Sequence, residues 1–388
     1  MKTKTQIVSF VLLALSFFLP FARAAENPVP AKSYFVYVGT YTAKTQSKGI
    51  YLFEFSPATG KLTPKGVAAA TPDPSWVVVH PSGKFLYSVN ESGKASTITS
   101  FSIDPATGKL TQLNQLPALG EDPCHLSFDK TGKYLFVANY TSGNVVVFPI
   151  LSDGKLGEHT ALQTDKGTLG PNKERQEGPH AHWVQPSGHN HFVDVSDLGL
   201  DQIIVYNFDE STGSLTRDPS AAGSFLALSP GTGPRHAASA PDGKYMYVLG
   251  ELSSAVTAFS HGDHHTFQKV QEIPGLPKSF TGRNDAAEIA ILPNGKFLYT
   301  SNRGHDSIAV FAIDPQKGTL TQIADVSTGG KEPRHFAIDP TGQFLLAENE
   351  NSDSIVEFRI DPSTGKLTPA NETVPVPSPI CIAFLPKP

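Results

Sequence analysis

Residues 333–372 read PRHFAIDPTGQFLLAENENSDSIVEFRIDPSTGKLTPANE. Four short runs, PRHFAID, FLLAEN, SIVEFRI and KLTPANE, are separated by turn residues, and their Val, Ile, Phe and Leu content is that of β-strands. The connections are only a few residues long, so consecutive strands run antiparallel. Four antiparallel strands in about 40–50 residues is the unit of a propeller blade.

The same unit recurs in both directions from this stretch. A Pro/Asp-x-Gly turn followed by an aromatic-rich strand (FLYSVN, YLFVANY, YMYVLGE, FLYTSNR) has its glycine at Gly83, Gly132, Gly188, Gly243, Gly295 and Gly342. A second turn, DPxTGKL or a relative, holds Gly60, Gly108, Gly154, Gly213, Gly318 and Gly365, with a looser version at Gly262. That makes seven units. Residues 34–67 supply strands B, C and D of a unit without strand A, and residues 379–386 (PICIAFLP) supply a strand A with nothing after it. Joined, they close a seventh blade and remove the free sheet edges that invite aggregation. The expected fold is all-β: a seven-bladed β-propeller with four antiparallel strands per blade, the last closed by strands from both termini, forming a single domain over residues 34–388. Two packed β-sandwiches have no use for that complementary split. Gly (33) and Pro (32) are frequent enough in 388 residues for such a turn-dense chain and too frequent for a helical one.

The N-terminus reads as an export signal. Lys2 and Lys4 precede the apolar run 7–19, and Ala22-Arg23-Ala24 has the small-x-small form of a signal-peptidase site. Cleavage is expected after Ala24, with 25–33 a short linker and no membrane span in the mature chain, which places the protein in a periplasm or outside the cell. Formal net charge is −5, and removal of Lys2, Lys4 and Arg23 takes it to −8. Such a surface excludes a general nucleic-acid binder. A monomer is expected, with a dimer as the alternative.

Antiparallel order puts the A–B and C–D turns on one face of the disc and the D–A and B–C loops on the other. Residues beginning strand A and ending strand B therefore share one rim around the axis. With strand A starting at Pro74, Pro123, Pro179, Pro234, Ala286, Pro333 and Pro379, the next positions are Ser75, Cys124, His180, Arg235, Ala287, Arg334 and Ile380, then Trp76, His125, Ala181, His236, Glu288, His335 and Cys381. The B-strand ends add Glu91, Tyr140, Asp197, Glu251, Arg303 and Glu350. This concentration of Arg, His and carboxylates at one channel mouth favours a small anionic ligand over mere solvation. The D–A connection 163–178, carrying Arg175 and Glu177, is expected to act as a lid or binding loop.

Other motifs carry less. His180-Ala181-His182 has zinc-like spacing in a strand but no third ligand, and HGDHH at 261–265 is His-rich enough to bind metal but sits in a C–D turn on the opposite face, where a solvated loop is expected instead. No metal site and no cofactor are therefore expected. There is no nucleophile-elbow serine and no phosphate-binding glycine loop. Cys124 and Cys381 begin A strands two blades apart, too far for a disulfide, so two free thiols are expected.

In combination, ERQEGPHAHW, SDLGLDQIIVYNFD, GPRH, LGELSSAVTAF, AAEIAILPNGKFLYTSNRGHDSIAVF and PRHFAIDPTGQFLLAENENSDSIVEF closely resemble the lactonase-type seven-bladed propeller family, over essentially residues 34–386. That family includes propeller-type 6-phosphogluconolactonases and fungal 3-carboxy-cis,cis-muconate lactonizing enzymes. The resemblance implies a metal-free enzyme that opens or closes a lactone ring. It places the family's His, two Arg and Glu on His182 (or His180), Arg235, Glu251 and Arg303. Lactone hydrolysis needs a base to activate water and donors for the oxyanion. Glu251 or His182 suits the first role and Arg235 with Arg303 the second. Arg334 and Arg175 are expected to hold a second anionic group, with His180, Glu177, His236, Glu288 and His335 lining the substrate site. The function expected is a lactonase of 6-phosphogluconolactonase type, with a muconate-type cycloisomerase and a non-catalytic binding propeller as alternatives. Because 6-phosphogluconolactone is made inside cells, an exported enzyme is expected to meet another lactone, such as an unphosphorylated sugar lactone.

Overall fold

The computed structural model describes residues 31–388 apart from 218–222, 263–264 and 371–372. The export signal, its cleavage site and most of the 25–33 linker lie outside the described residues. Seven antiparallel sheets follow one another along the chain, each meandering outward from an innermost strand A. Blades 1 to 6 span 77–117, 123–164, 181–227, 234–274, 285–327 and 333–375. In blade 7 the C-terminal strand Pro379–Pro386 lies innermost and pairs antiparallel with Tyr34–Thr40, followed by Gly49–Phe55 and Leu62–Ala70. The split blade read from the two termini is therefore present, with Val36 opposite Phe384.

The recurrent glycines serve inter-blade packing. At Gly60, Gly108, Gly154, Gly213, Gly318 and Gly365 φ lies between +67° and +83°, which penalises a Cβ. Each also lies against an aromatic ring that opens strand B of the preceding blade: Phe344, Phe35, Phe85, Tyr134, Tyr245 and Phe297 in the same order. Two residues along that strand, Tyr37, Tyr87 and Tyr299 donate their hydroxyls to the carbonyls of Gly108, Gly154 and Gly365. The aromatic-x-aromatic signature thus clamps the next blade's C–D turn. A Cβ on Gly365 would lie 2.5 Å from Phe297 Cδ1. Gly365→Ala is therefore expected to cost about 2 kcal/mol or more, from left-handed strain plus overpacking. Urea unfolding of the purified variant checks this, and an unchanged midpoint would count against the clamp.

Two features differ from the sequence reading. In blades 3 and 6 the outer strand is described in two pieces, Ser214–Thr216 and Phe225–Ala227 both pairing with Gln202–Asp209, and Leu367–Pro369 and Val374–Pro375 both pairing with Ser354–Ile360. More consequential is the register of blade 3. Its A–B turn is as long as the others but sits two residues later than Pro186-Ser187-Gly188 suggests, with Asn190 taking the positive φ that the turn glycine takes elsewhere. Strand A consequently begins at Ala181, not Pro179, and Asp197 pairs with Ala181. His182 is then the bulged rim residue equivalent to Cys124, Arg235 and Arg334. His180 occupies the preceding loop position, accepting the Leu198 N–H as Asp73, Asp122, Gly233 and Glu332 accept theirs. Cys124 and Cys381 are both buried and free, as expected.

Candidate active site

The A-strand bulges and the B-strand ends meet on the D–A face, and Glu251 is the hub of what they assemble. Its carboxylate lies 2.5 Å from Arg175 Nη2, 3.3 Å from Arg235 Nε and 3.3 Å from Arg303 Nη2. Burial disfavours its charge, but Arg303, Arg235 and Arg175 outweigh that and hold its pKa down at about 2. The arginines are fixed in turn. Arg235 donates to the Ala287 carbonyl, and Arg303 donates to the Asp285 and Ala286 carbonyls. Burial and the neighbouring Arg303 and Arg334 push Arg235 down to about 10.

Arg175 arrives from the 163–178 connection. Buried Gln176 pins that loop by donating to the Leu198 carbonyl and accepting the Asn172 N–H. Arg175 then reaches across blades to Glu251, to Asp285 at 3.3 Å and to the Tyr140 hydroxyl. The 163–178 connection thus places Arg175 on the hub.

Below the hub, histidines and carboxylates alternate. His236 Nδ1 lies 2.9 Å from Glu288, His335 Nε2 lies 3.5 Å from the same oxygen, and His335 Nδ1 lies 2.6 Å from Glu348. Burial lowers His236 to about 4, whereas Glu348 and Glu288 overcome burial and raise His335. Trp76 stands among these rings, 4.4 Å from His125 and 5.3 Å from both His236 and His335, centroid to centroid. It separates the mouth from the channel space on the opposite face, which Val77–Val79, His125–Phe128 and Ile382–Phe384 line.

A small pocket above Trp76 is lined by Tyr41, Ser75, Glu91, Cys124, His182, Arg235, Arg334 and Ile380. His182 is buried, and its Nδ1 has no hydrogen-bond partner among the described residues. Burial, then Arg235 and His236, hold its pKa well below 6.5, so the imidazole is neutral at pH 7. Glu91 accepts from Ser75 Oγ at 2.5 Å and from the Tyr41 hydroxyl at 2.9 Å, and burial raises its pKa although Arg334 opposes this. The Arg334 guanidinium sits 5.5 Å above the Tyr41 ring.

The structure thus brings together Glu251, Arg235, Arg303 and Arg175, and beside them His182, Arg334, His236, Glu288 and His335. His180 does not enter the pocket. Its ring stacks on Tyr140 at 4.6 Å, with Nδ1 3.0 Å from the Tyr140 carbonyl and Nε2 3.2 Å from Glu177. Glu177 is largely exposed at the outer edge. Asp197 is not a rim residue. It is buried against Asp165 and accepts the His180 and Leu200 N–H groups. Burial raises both carboxyls, Asp165 to about 6, and each leaves an oxygen without an N–H or hydroxyl donor, as a carboxyl pair sharing one proton would. Tyr41 was missed for want of one step: it follows the B strand of the split blade and is the seventh B-strand end. Among the described residues no group of three or more His, Cys or carboxylate side chains could hold a metal ion.

The family model of the lactonase seven-bladed β-propellers matches residues 35–384. The chain belongs to that family. It is 39% identical over 298 residues to a 6-phosphogluconolactonase of Bacillus subtilis, covering 76% of this chain and 82% of that protein. A 6-phosphogluconolactonase of Formosa agariphila is 36% identical over 310 residues, covering 76% of this chain and 84% of the relative. Among solved structures, the periplasmic gluconolactonase of Pseudomonas aeruginosa superposes with a TM-score of 0.85 at 33% identity, covering 92% of this chain and 100% of that one.

Proposed function

We propose that this lactonase hydrolyses an unphosphorylated sugar lactone, with His182 as base and Arg235 as oxyanion donor. The observation carrying this is a pocket of about 10 Å³, room for about one water, lined by a neutral buried His182 and by Arg235, beside a carboxylate hub that fixes that arginine. In this reading His182 takes a proton from water as its oxygen bonds the lactone carbonyl carbon. The carbonyl oxygen gains charge beside Arg235, the ring C–O bond breaks, and the proton passes to the leaving alkoxide to give the hydroxy acid. Basicity grows along the path. Burial, then Arg235, His236 and Arg334, hold the His182 pKa down in the free site, and the developing oxyanion offsets the arginines. Glu251, at about 2, is a poor proton acceptor and is assigned to positioning.

Charge balance supports the neutral substrate. Arg175, Arg235 and Arg303 face Glu251, Arg175 also faces Asp285, and Arg334 faces Glu91 and Glu350. A groove of about 610 Å³ opens beside Tyr41, bordered by Asp73, Glu91, Glu350 and Asp353 with Lys44. A phosphate or a muconate diacid would meet carboxylates there, whereas sugar hydroxyls would find acceptors. The export signal read from residues 1–24 and the periplasmic gluconolactonase among the structural relatives point the same way. Acid release by the purified mature protein, corrected for spontaneous hydrolysis, is expected to be faster with glucono-lactone than with its 6-phosphate, by about tenfold or more in kcat/KM. Preference for the phosphorylated lactone would overturn the substrate assignment, and turnover of neither would overturn the lactonase reading.

A further inference from the structure

The opposite face carries a second cluster that the lactonase chemistry does not use. Of the 261–265 turn the structure describes His261, Gly262 and His265. His265 is buried, and His261 faces the same cleft between blades 3 and 4. The Gly262 N–H bonds the Thr266 carbonyl and closes the hairpin, bringing the two imidazole centroids to 5.1 Å.

The hydrogen bonds assign both tautomers. His265 Nε2 lies 2.8 Å from the Asp194 carboxylate, so it carries the proton and Nδ1 keeps a lone pair. His261 Nδ1 lies 3.2 Å from the Gly243 carbonyl, so it too is the protonated nitrogen and Nε2 keeps the lone pair. These two nitrogens, His265 Nδ1 and His261 Nε2, are buried without any hydrogen-bond partner among the described residues. Two unmatched acceptors in one cleft are costly unless something binds them.

The rings are also held in place. His265 stacks on Phe192 at 4.4 Å and 8°, and His261 stacks on Phe267 at 4.7 Å and 10°. An imidazole whose far nitrogen is locked by a carboxylate or a backbone carbonyl is the usual outer-shell arrangement of a metal-binding histidine. With Zn–N distances of about 2.1 Å, two imidazoles on one tetrahedral ion have centroids about 5 Å apart, close to the spacing found here.

We propose that His261 Nε2 and His265 Nδ1 form a two-histidine site for a borderline divalent transition metal such as Zn2+ or Ni2+, on the face opposite the lactonase mouth. Two protein ligands leave the remaining positions to water, consistent with the lack of any larger ligand cluster among the described residues. Nitrogen donors select these ions over Mg2+ or Ca2+, which take oxygen.

The test is calorimetric titration of the tag-free mature protein, first stripped with a chelator, with ZnCl2 and NiCl2 and with MgCl2 as control. One ion per chain is expected for Zn2+ and Ni2+, and none for Mg2+. His261→Ala removes one ligand but keeps the buried Asp194–His265 pair, so it should fold and weaken binding at least tenfold. Asp194→Asn should weaken it about 10–100-fold by releasing the His265 tautomer. Absence of binding to the wild type, or unchanged affinity in His261→Ala, would overturn the site. The readout is binding and does not depend on the lactonase reading.

Discussion

His182→Asn is expected to lower kcat for lactone hydrolysis by about 10²–10⁴-fold, the range typical of losing a positioned general base. The fold should survive, since Nδ1 has no partner to lose and the residue sits at a strand bulge. The pH profile gives an independent check. With the His182 pKa held well below 6.5 by burial and by Arg235, the acid limb of wild-type activity should lie clearly below pH 6.5. A variant retaining wild-type kcat after subtraction of spontaneous hydrolysis would remove His182 from the mechanism.

Glu251→Gln should disturb both stability and activity. The substitution keeps the volume but leaves Arg235 and Arg303, exposed by only 4% and 8%, facing a neutral amide. Breaking a buried ion cluster on one side costs about 3–5 kcal/mol, far more than an exposed pair contributes. Activity should fall as well, because Arg235 loses the partner that fixes its guanidinium. The pH dependence has a definite sign. The Glu251 pKa is depressed from about 4.5 to about 2, so its contribution is complete above 4.5 and is lost as pH falls toward 2. Wild type should therefore destabilise across that window more steeply than the variant in urea melts at graded pH. Parallel curves of equal midpoint would show that Glu251 is not the hub.

Strand identity, blade count and the split seventh blade were legible because each rests on local pattern. Alternation marks strands, and glycines at fixed offsets mark turns whose positive φ the structure bears out at Gly342 and Gly365. Counting back from those turns located the Arg235, Glu288 and Arg334 rim positions. The same counting failed in blade 3, since the turn residue at positive φ there is Asn190, two positions after Gly188, which moves the start of strand A two residues on. It therefore set His180 in the place that His182 occupies.

Other features had no local signal. Arg175 meets Glu251 across 76 residues of sequence, and nothing near either position announces the other. Asp197 looks like any rim carboxylate until its burial against Asp165 is seen. The HGDHH turn reads as polar, and only packing on Phe192 and Phe267 turns His265 and His261 inward.

By itself the sequence determined the architecture, the family resemblance and the ring of polar residues at one mouth. These follow from periodicity and short-range turn chemistry, which a linear string contains. Only the tertiary structure decided which carboxylate is a hub and which histidine stays neutral. Those properties depend on burial and on charges that the closed ring of blades brings together, and both are set by distance in space rather than by position along the chain.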